Sequence, residues 1–108
     1  LEMRRIVSLA GGDGALAGEL PGAGDLYVTI FGGRTRRLGM LLGRGIPFTE
    51  AQEILKGVTL EAVVIITRVA RALRARGENP DYYPLLFHMD AILNDGAEVD
   101  LPWSKFGR

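Results

Sequence analysis

Residues 22–45 read GAGDLYVTIFGGRTRRLGMLLGRG, and this stretch constrains the architecture more than any other. Seven glycines fall within it. Glycine at that density signals tight backbone turns and close approach of the main chain to another group. Within it, residues 25–31 (DLYVTIF) are rich in β-branched and aromatic residues and carry strand propensity. A lone strand needs partners, however, and no other segment of the chain reads well as one. With Asp25 after Gly24 as an N-cap, the expectation is a short buried helix. The fold class expected is therefore all-α.

The same stretch holds an electrostatic anomaly. Arg34, Arg36 and Arg37 follow directly on Gly32-Gly33. If a helix begins there, they occupy its first turn, where the helix dipole is positive and cations are unfavourable. A bound anion would offset both. Arg34 can present a bidentate fork to a phosphate, the preceding glycines let main-chain N–H groups point at the same anion, and Thr35 can add a hydroxyl. Asp25 could accept hydrogen bonds from a sugar-like hydroxyl. The competing reading has these arginines solvated, or paired with Asp25 and the glutamates. On the residues alone both readings stand.

The remaining segments read as helices joined by short loops. Residues 1–10 place Met3, Ile6, Val7 and Ala10 at helical spacing, ending at Gly11-Gly12. Residues 15–21 are ambiguous. Residues 34–44 join the basic turn to an apolar second half, with Gly39 and Gly43 on one face, open to a neighbouring helix. Thr49 and Gln52 suggest a capping box for a brief helix closing at Gly57. The longest helix is expected over 59–76, with Ala62, Ile66, Val69 and Leu73 as a stripe widened by Val63, Val64, Ile65 and Ala70 into a broad buried face. Arg68, Arg71, Arg74 and Arg76 suit its C-terminal half, and Gly77 suits the position after it. Asn79-Pro80-Asp81 is expected to start the last long helix, with Asp81 as cap and Leu85, Leu86, Met89, Ile92 and Leu93 as the apolar face. Trp103 and Phe106 are expected to dock on the body.

The 108 residues predict one domain with five or six helices and one core. Thirteen acids balance thirteen Lys plus Arg, so there is no general attraction to nucleic acid or to an anionic membrane. No apolar run approaches the about 20 residues of a membrane span, and no signal peptide is visible. The absence of cysteine excludes disulfides, thiolate metal sites and a Cys nucleophile, and fits a reducing compartment. His88 is the single histidine, which gives no zinc ligand set; it reads as a surface or satisfied residue. No P-loop, no strand-borne G-x-G-x-x-G and no nucleophile motif around Ser8 or Ser104 is present. The chain opens without an initiator Met, on what reads as the tail of a helix, and is expected to be a fragment of a longer protein.

The run Gly22-Ala23-Gly24-Asp25-Leu26 with Thr29, then Gly33-Arg34-Thr35-Arg36-Arg37-Leu38-Gly39, then Leu42-Gly43-Arg44-Gly45, resembles the C-terminal domain of bacterial NAD(P)-dependent glycerol-3-phosphate dehydrogenase. Thr59-Leu60-Glu61-Ala62 resembles that family's V-V-E-G, and Pro84-Leu85, Ile92-Leu93 and Gly96 its late motif. The likeness covers nearly the whole chain in order. It implies a compact all-α domain, like the C-terminal domain of 6-phosphogluconate dehydrogenase, that closes over an N-terminal Rossmann domain absent from this chain. The implied reaction interconverts dihydroxyacetone phosphate and sn-glycerol 3-phosphate by hydride transfer with NAD or NADP. By carry-over, Asp25, Thr29, Gly33, Arg34 and Thr35 bind substrate, while Arg34, Thr59 and Glu61 line the dinucleotide. No metal is implied. The catalytic lysine lies upstream in the family, and neither Lys56 nor Lys105 sits in its motif, so residues 1–108 alone are expected to be inactive.

Thr35 stands where the family has Asn, Gly33 where it has Ser, Thr59 where it has Val and Ala62 where it has Gly. The partners implied are the small-molecule substrate and the protein's own Rossmann domain, with no nucleic acid and no membrane, in the cytoplasm. An isolated half exposes the apolar face on which the Rossmann domain packs, and dimerisation through that face is a further expectation. The rival class is a stand-alone helical anion-binding or interaction module that uses the Arg34/Arg36/Arg37 turn. A third reading is a related dehydrogenase acting on another phosphorylated polyol.

Overall fold

A computed structural model of the chain describes residues 1–19, 22, 33–57 and 60–106. Every regular element among them is helical. The expected short helix at 25–31 lies outside the described residues. By internal contacts the chain divides into two compact units, Leu1–Gly33 and Arg34–Phe106.

In the first unit, α1 (Glu2–Leu9) is followed by a 3-10 turn, Gly14–Gly18. Gly11, at φ 88°, lets α1 end in paired hydrogen bonds: its N–H donates to the Ser8 carbonyl and that of Gly12 to Val7. Asp13 caps the 3-10 turn by accepting from the Ala15 N–H at 3.0 Å. The segment that was ambiguous in sequence thus takes 3-10 form, the small residues giving no apolar stripe to hold a longer helix.

The second unit holds α2 (Arg34–Gly43), α3 (Phe48–Ile54), α4 (Glu61–Ala75) and α5 (Pro84–Asn94), with 3-10 turns at Pro80–Tyr82 and Trp103–Lys105. Leu38, Ala51 and Leu55 form a buried cluster. Leu41, Leu42, Ile46, Phe48, Leu60, Val63 and Leu93 pack around it, so α2, α3, the start of α4 and the end of α5 share it. Further along, α4 pairs with α5 through buried Ala70 and Leu73 on one helix and Leu86 and Ile92 on the other.

Several local expectations are corrected. The α3 cap is Pro47, with ψ 149°, and Thr49 lies inside the helix with no side-chain capping bond. Proline pre-sets the entry into a helix whose first N–H groups need no intrahelical partner, so the helix begins before the expected box. Gly39 and Gly43 lie exposed, and a Cβ on either would meet no described atom within 4 Å; α2 packs through its leucines instead. Val64 and Ile65 are 48% and 59% exposed, so the buried face of α4 is narrower than its composition suggests. Asn79, not Asp81, caps the chain after Pro80, by accepting the Asp81 N–H at 3.0 Å, and it caps a 3-10 turn only. The long helix starts at Pro84, its first-turn position, where the missing N–H costs nothing. Trp103 is 71% exposed and stacks edge-on against Phe106 at 5.5 Å rather than docking.

Candidate functional site

The basic turn is built as its spacing predicts. α2 opens at Arg34 directly after half-buried Gly33. Its first turn contains no acid, whereas α1, α3 and α4 carry Glu2, Glu50 and Glu61 in theirs. Thr35, Arg36 and Arg37 are exposed. Among the described residues, neither Arg36 nor Arg37 has an ion-pair partner. The first four N–H groups of a helix lack intrahelical acceptors, and their dipoles sum to partial positive charge at that end. Cations there raise the potential instead of neutralising it. What this turn can do chemically is hold a multiply charged anion by backbone and guanidinium donors together.

Leu38, one helical turn after Arg34, is 4% exposed and anchors α2 in the core cluster. Leu60, the residue before Glu61, packs against the same cluster. The starts of α2 and α4 therefore stand on one piece of core. Glu61 is exposed in the first turn of α4 and engaged in an interaction of its own. Asp25, Thr29 and Thr59 lie outside the described residues. Lys56 and Lys105 are both exposed, Lys56 at the end of α3 and Lys105 in the tail. Among the described residues, no group of three His, Asp or Glu side chains could hold a metal ion.

One polar cluster escaped the sequence reading. Asp90, 5% exposed on α5, takes the Arg74 guanidinium at 2.8 Å and the Asn94 amide at 2.8 Å. Asn94 also donates to the Thr67 hydroxyl at 3.0 Å, and the Arg74 guanidinium lies over the Phe87 ring at 4.8 Å. Arg74 was accounted for by the α4 dipole alone; it also ties α4 to α5. The available signal was Asp90 and Asn94 four apart among apolar residues. Among the described residues no buried side-chain polar atom lacks a partner, which marks the cluster as a structural tie rather than a reactive centre.

Likeness to known proteins extends over most of the chain. A family model described as the C-terminus of NAD-dependent glycerol-3-phosphate dehydrogenase matches residues 1–103. The chain belongs to that family. A curated relative, the NADP(+)-dependent glycerol-3-phosphate dehydrogenase of Archaeoglobus fulgidus, is 33% identical over 99 residues. The aligned region is 92% of this chain and 30% of the relative, so the chain spans about a third of that dehydrogenase's length. No solved structure gives a significant match. The all-helical architecture agrees with a dehydrogenase C-terminal domain, and both names carry dependence on NAD or NADP. No described helix is long and apolar enough to cross a membrane.

Proposed function

We propose that this chain is the substrate-binding domain of an NAD(P)-dependent glycerol-3-phosphate dehydrogenase that interconverts dihydroxyacetone phosphate and sn-glycerol 3-phosphate. The observation that carries the reading is the family match over residues 1–103. It coincides with a basic helix start that has no acid of its own.

The phosphate dianion sits at Gly33, Arg34 and Thr35, held by backbone N–H groups, the guanidinium and the hydroxyl. Asp25 takes the substrate hydroxyls and Thr29 orders the site beside it. Clamping the phosphate fixes the carbon to be reduced, so the domain contributes catalysis by orientation. Arg34, Thr59 and Glu61 face the dinucleotide. The fit rests on donor chemistry: a basic helix start with no acid in its first turn suits a phosphorylated ligand. Bound NAD(P)H supplies the hydride. The Rossmann domain and the lysine that protonates the carbonyl oxygen belong to the remainder of the enzyme, so residues 1–108 by themselves turn nothing over.

The test is an assay of dihydroxyacetone phosphate-dependent NAD(P)H oxidation with the complete enzyme and with residues 1–108. Turnover by the first and none by the second is expected. A complete enzyme that ignores dihydroxyacetone phosphate but reduces another phosphorylated ketone would move the assignment to a neighbouring activity. Tight binding of glycerol 3-phosphate to residues 1–108, measured by calorimetry, would refute the incompleteness of the site and favour a stand-alone anion-binding module.

A further inference from the structure

After α5 ends at Asn94, residues 96–106 form a tail without α-helix. Its first half is exposed, and only Leu101, Pro102 and Phe106 are half-buried. The tail nevertheless forms one wall of two grooves. Its first part, including Ala97, Glu98 and Val99, faces Ile46, Phe48 and Ile92 across a groove of about 460 Å³. Its second part, from Asp100 onward, faces Pro84, Phe87 and His88 across another of about 720 Å³. At the junction between the two, the backbone N–H of Asp100 donates to His88 Nε2 at 3.0 Å.

That bond fixes the chemistry of the ring. A backbone N–H can only donate, so Nε2 must offer its lone pair and the imidazole must be neutral, with its proton on Nδ1. Once protonated, both ring nitrogens are donors and the bond to Asp100 cannot exist. We propose that residues 96–106 are a strap over α5, latched by His88 when the ring is neutral and released when it is protonated.

The groups around the ring favour such a switch. Asp81, from the 3-10 turn before α5, lines the same groove, as do Asp100 and Lys105 from the tail. On α5 itself the neighbours one turn away, Pro84, Leu85, Ala91 and Ile92, are uncharged, and Asp90 is engaged by Arg74. An imidazolium would therefore turn from the Asp100 amide toward the Asp81 and Asp100 carboxylates. The donor and acceptor roles at the junction reverse, and the tail changes its seat. Little apolar burial resists the change, because the tail is held by a few half-buried residues and its tryptophan is already exposed. Both grooves lose a wall when it moves.

The test is nuclear magnetic resonance of residues 1–108 titrated between about pH 8 and pH 5, the interval in which imidazole changes charge. The expected result is an upfield shift of the Asp100 amide proton that follows the His88 ring titration with one-proton steepness. The backbone order of 99–104, read by heteronuclear relaxation, is expected to fall over the same step. His88→Gln keeps an acceptor at every pH, so its tail is expected to stay seated and ordered throughout. An Asp100 amide that is indifferent to the His88 titration would overturn the proposal. So would a step of equal size in His88→Gln, which would show that the step does not come from the ring.

Discussion

At the scale of single residues, Arg34 and Arg74 have opposite settings. Arg34 opens a helix against its dipole, in a turn without acid. Arg74 sits near the end of a helix, where the dipole favours it, and adds a bond to a buried carboxylate. Removing each should leave a different signature. In the complete dehydrogenase, Arg34→Ala is expected to raise KM for the phosphorylated substrate. It should lower kcat/KM by about 10- to 100-fold, the worth of one hydrogen bond to a charged group. Steady-state kinetics checks this, and unchanged constants would remove Arg34 from the site. Arg74→Ala leaves a buried carboxylate with Asn94 as its remaining bonded partner in the cluster. It should cost about 1.5 to 3 kcal/mol, toward the lower end because the guanidinium is half exposed. Denaturant unfolding would read the loss.

At the scale of elements, helix endings were the most legible feature of the chain. Gly77, at φ 73°, lies just past α4. It donates to the Arg74 carbonyl at 3.0 Å while Glu78 donates to Leu73 at 3.1 Å. Gly45, at φ 87°, ends α2 by the same pair of bonds, to Leu42 and from Ile46 to Leu41. Glycine at such a site removes the steric penalty of a left-handed backbone, and no tertiary contact is needed to see it. Gly77→Ala is therefore expected to destabilise the chain by about 1 kcal/mol. Gly39 reverses the sign. It lies mid-helix, exposed, with open space where a Cβ would stand. Gly39→Ala should stabilise residues 1–108 by about 0.5 to 1 kcal/mol. Thermal unfolding of the pair gives both signs in one experiment, and destabilisation by Gly39→Ala would restore a close approach at that glycine.

Helix beginnings were read less well, for a definite reason. Thr49 and Asp81 are good capping types, but Pro47 and Pro84 decide where the chain can enter a helix. A capping side chain adds about 1 kcal/mol, whereas a fixed proline φ and a missing N–H constrain the backbone outright.

At the scale of the whole molecule, composition overstated burial. Ile54, Val64 and Ile65 stand exposed on α3 and α4, and Trp103 on the tail. Such residues suit a domain that packs against more protein, in line with a chain that spans about a third of its relative. Self-association of residues 1–108 through the α3–α4 apolar residues is the expected consequence. Sedimentation as a compact monomer at every concentration would count against it, as would no change in association with Ile65→Lys.

The all-helical class, the existence and glycine endings of the four helices of the second unit, and the basic turn at Arg34 were determined by sequence alone. Each depends on near neighbours: period, backbone freedom and dipole. Resemblance along the chain likewise named the family before any coordinates, because motif order survives divergence. Only tertiary structure decided which apolar residues stay outside, that Gly39 and Gly43 face open space, and that Arg74 reaches Asp90. It also decided that the Asp100 amide meets His88. These facts depend on which faces meet, and a face is selected by the summed packing of several helices rather than by any residue's own preference. The starts of α2 and α4 share their core footing for the same reason, through Leu38 and Leu60.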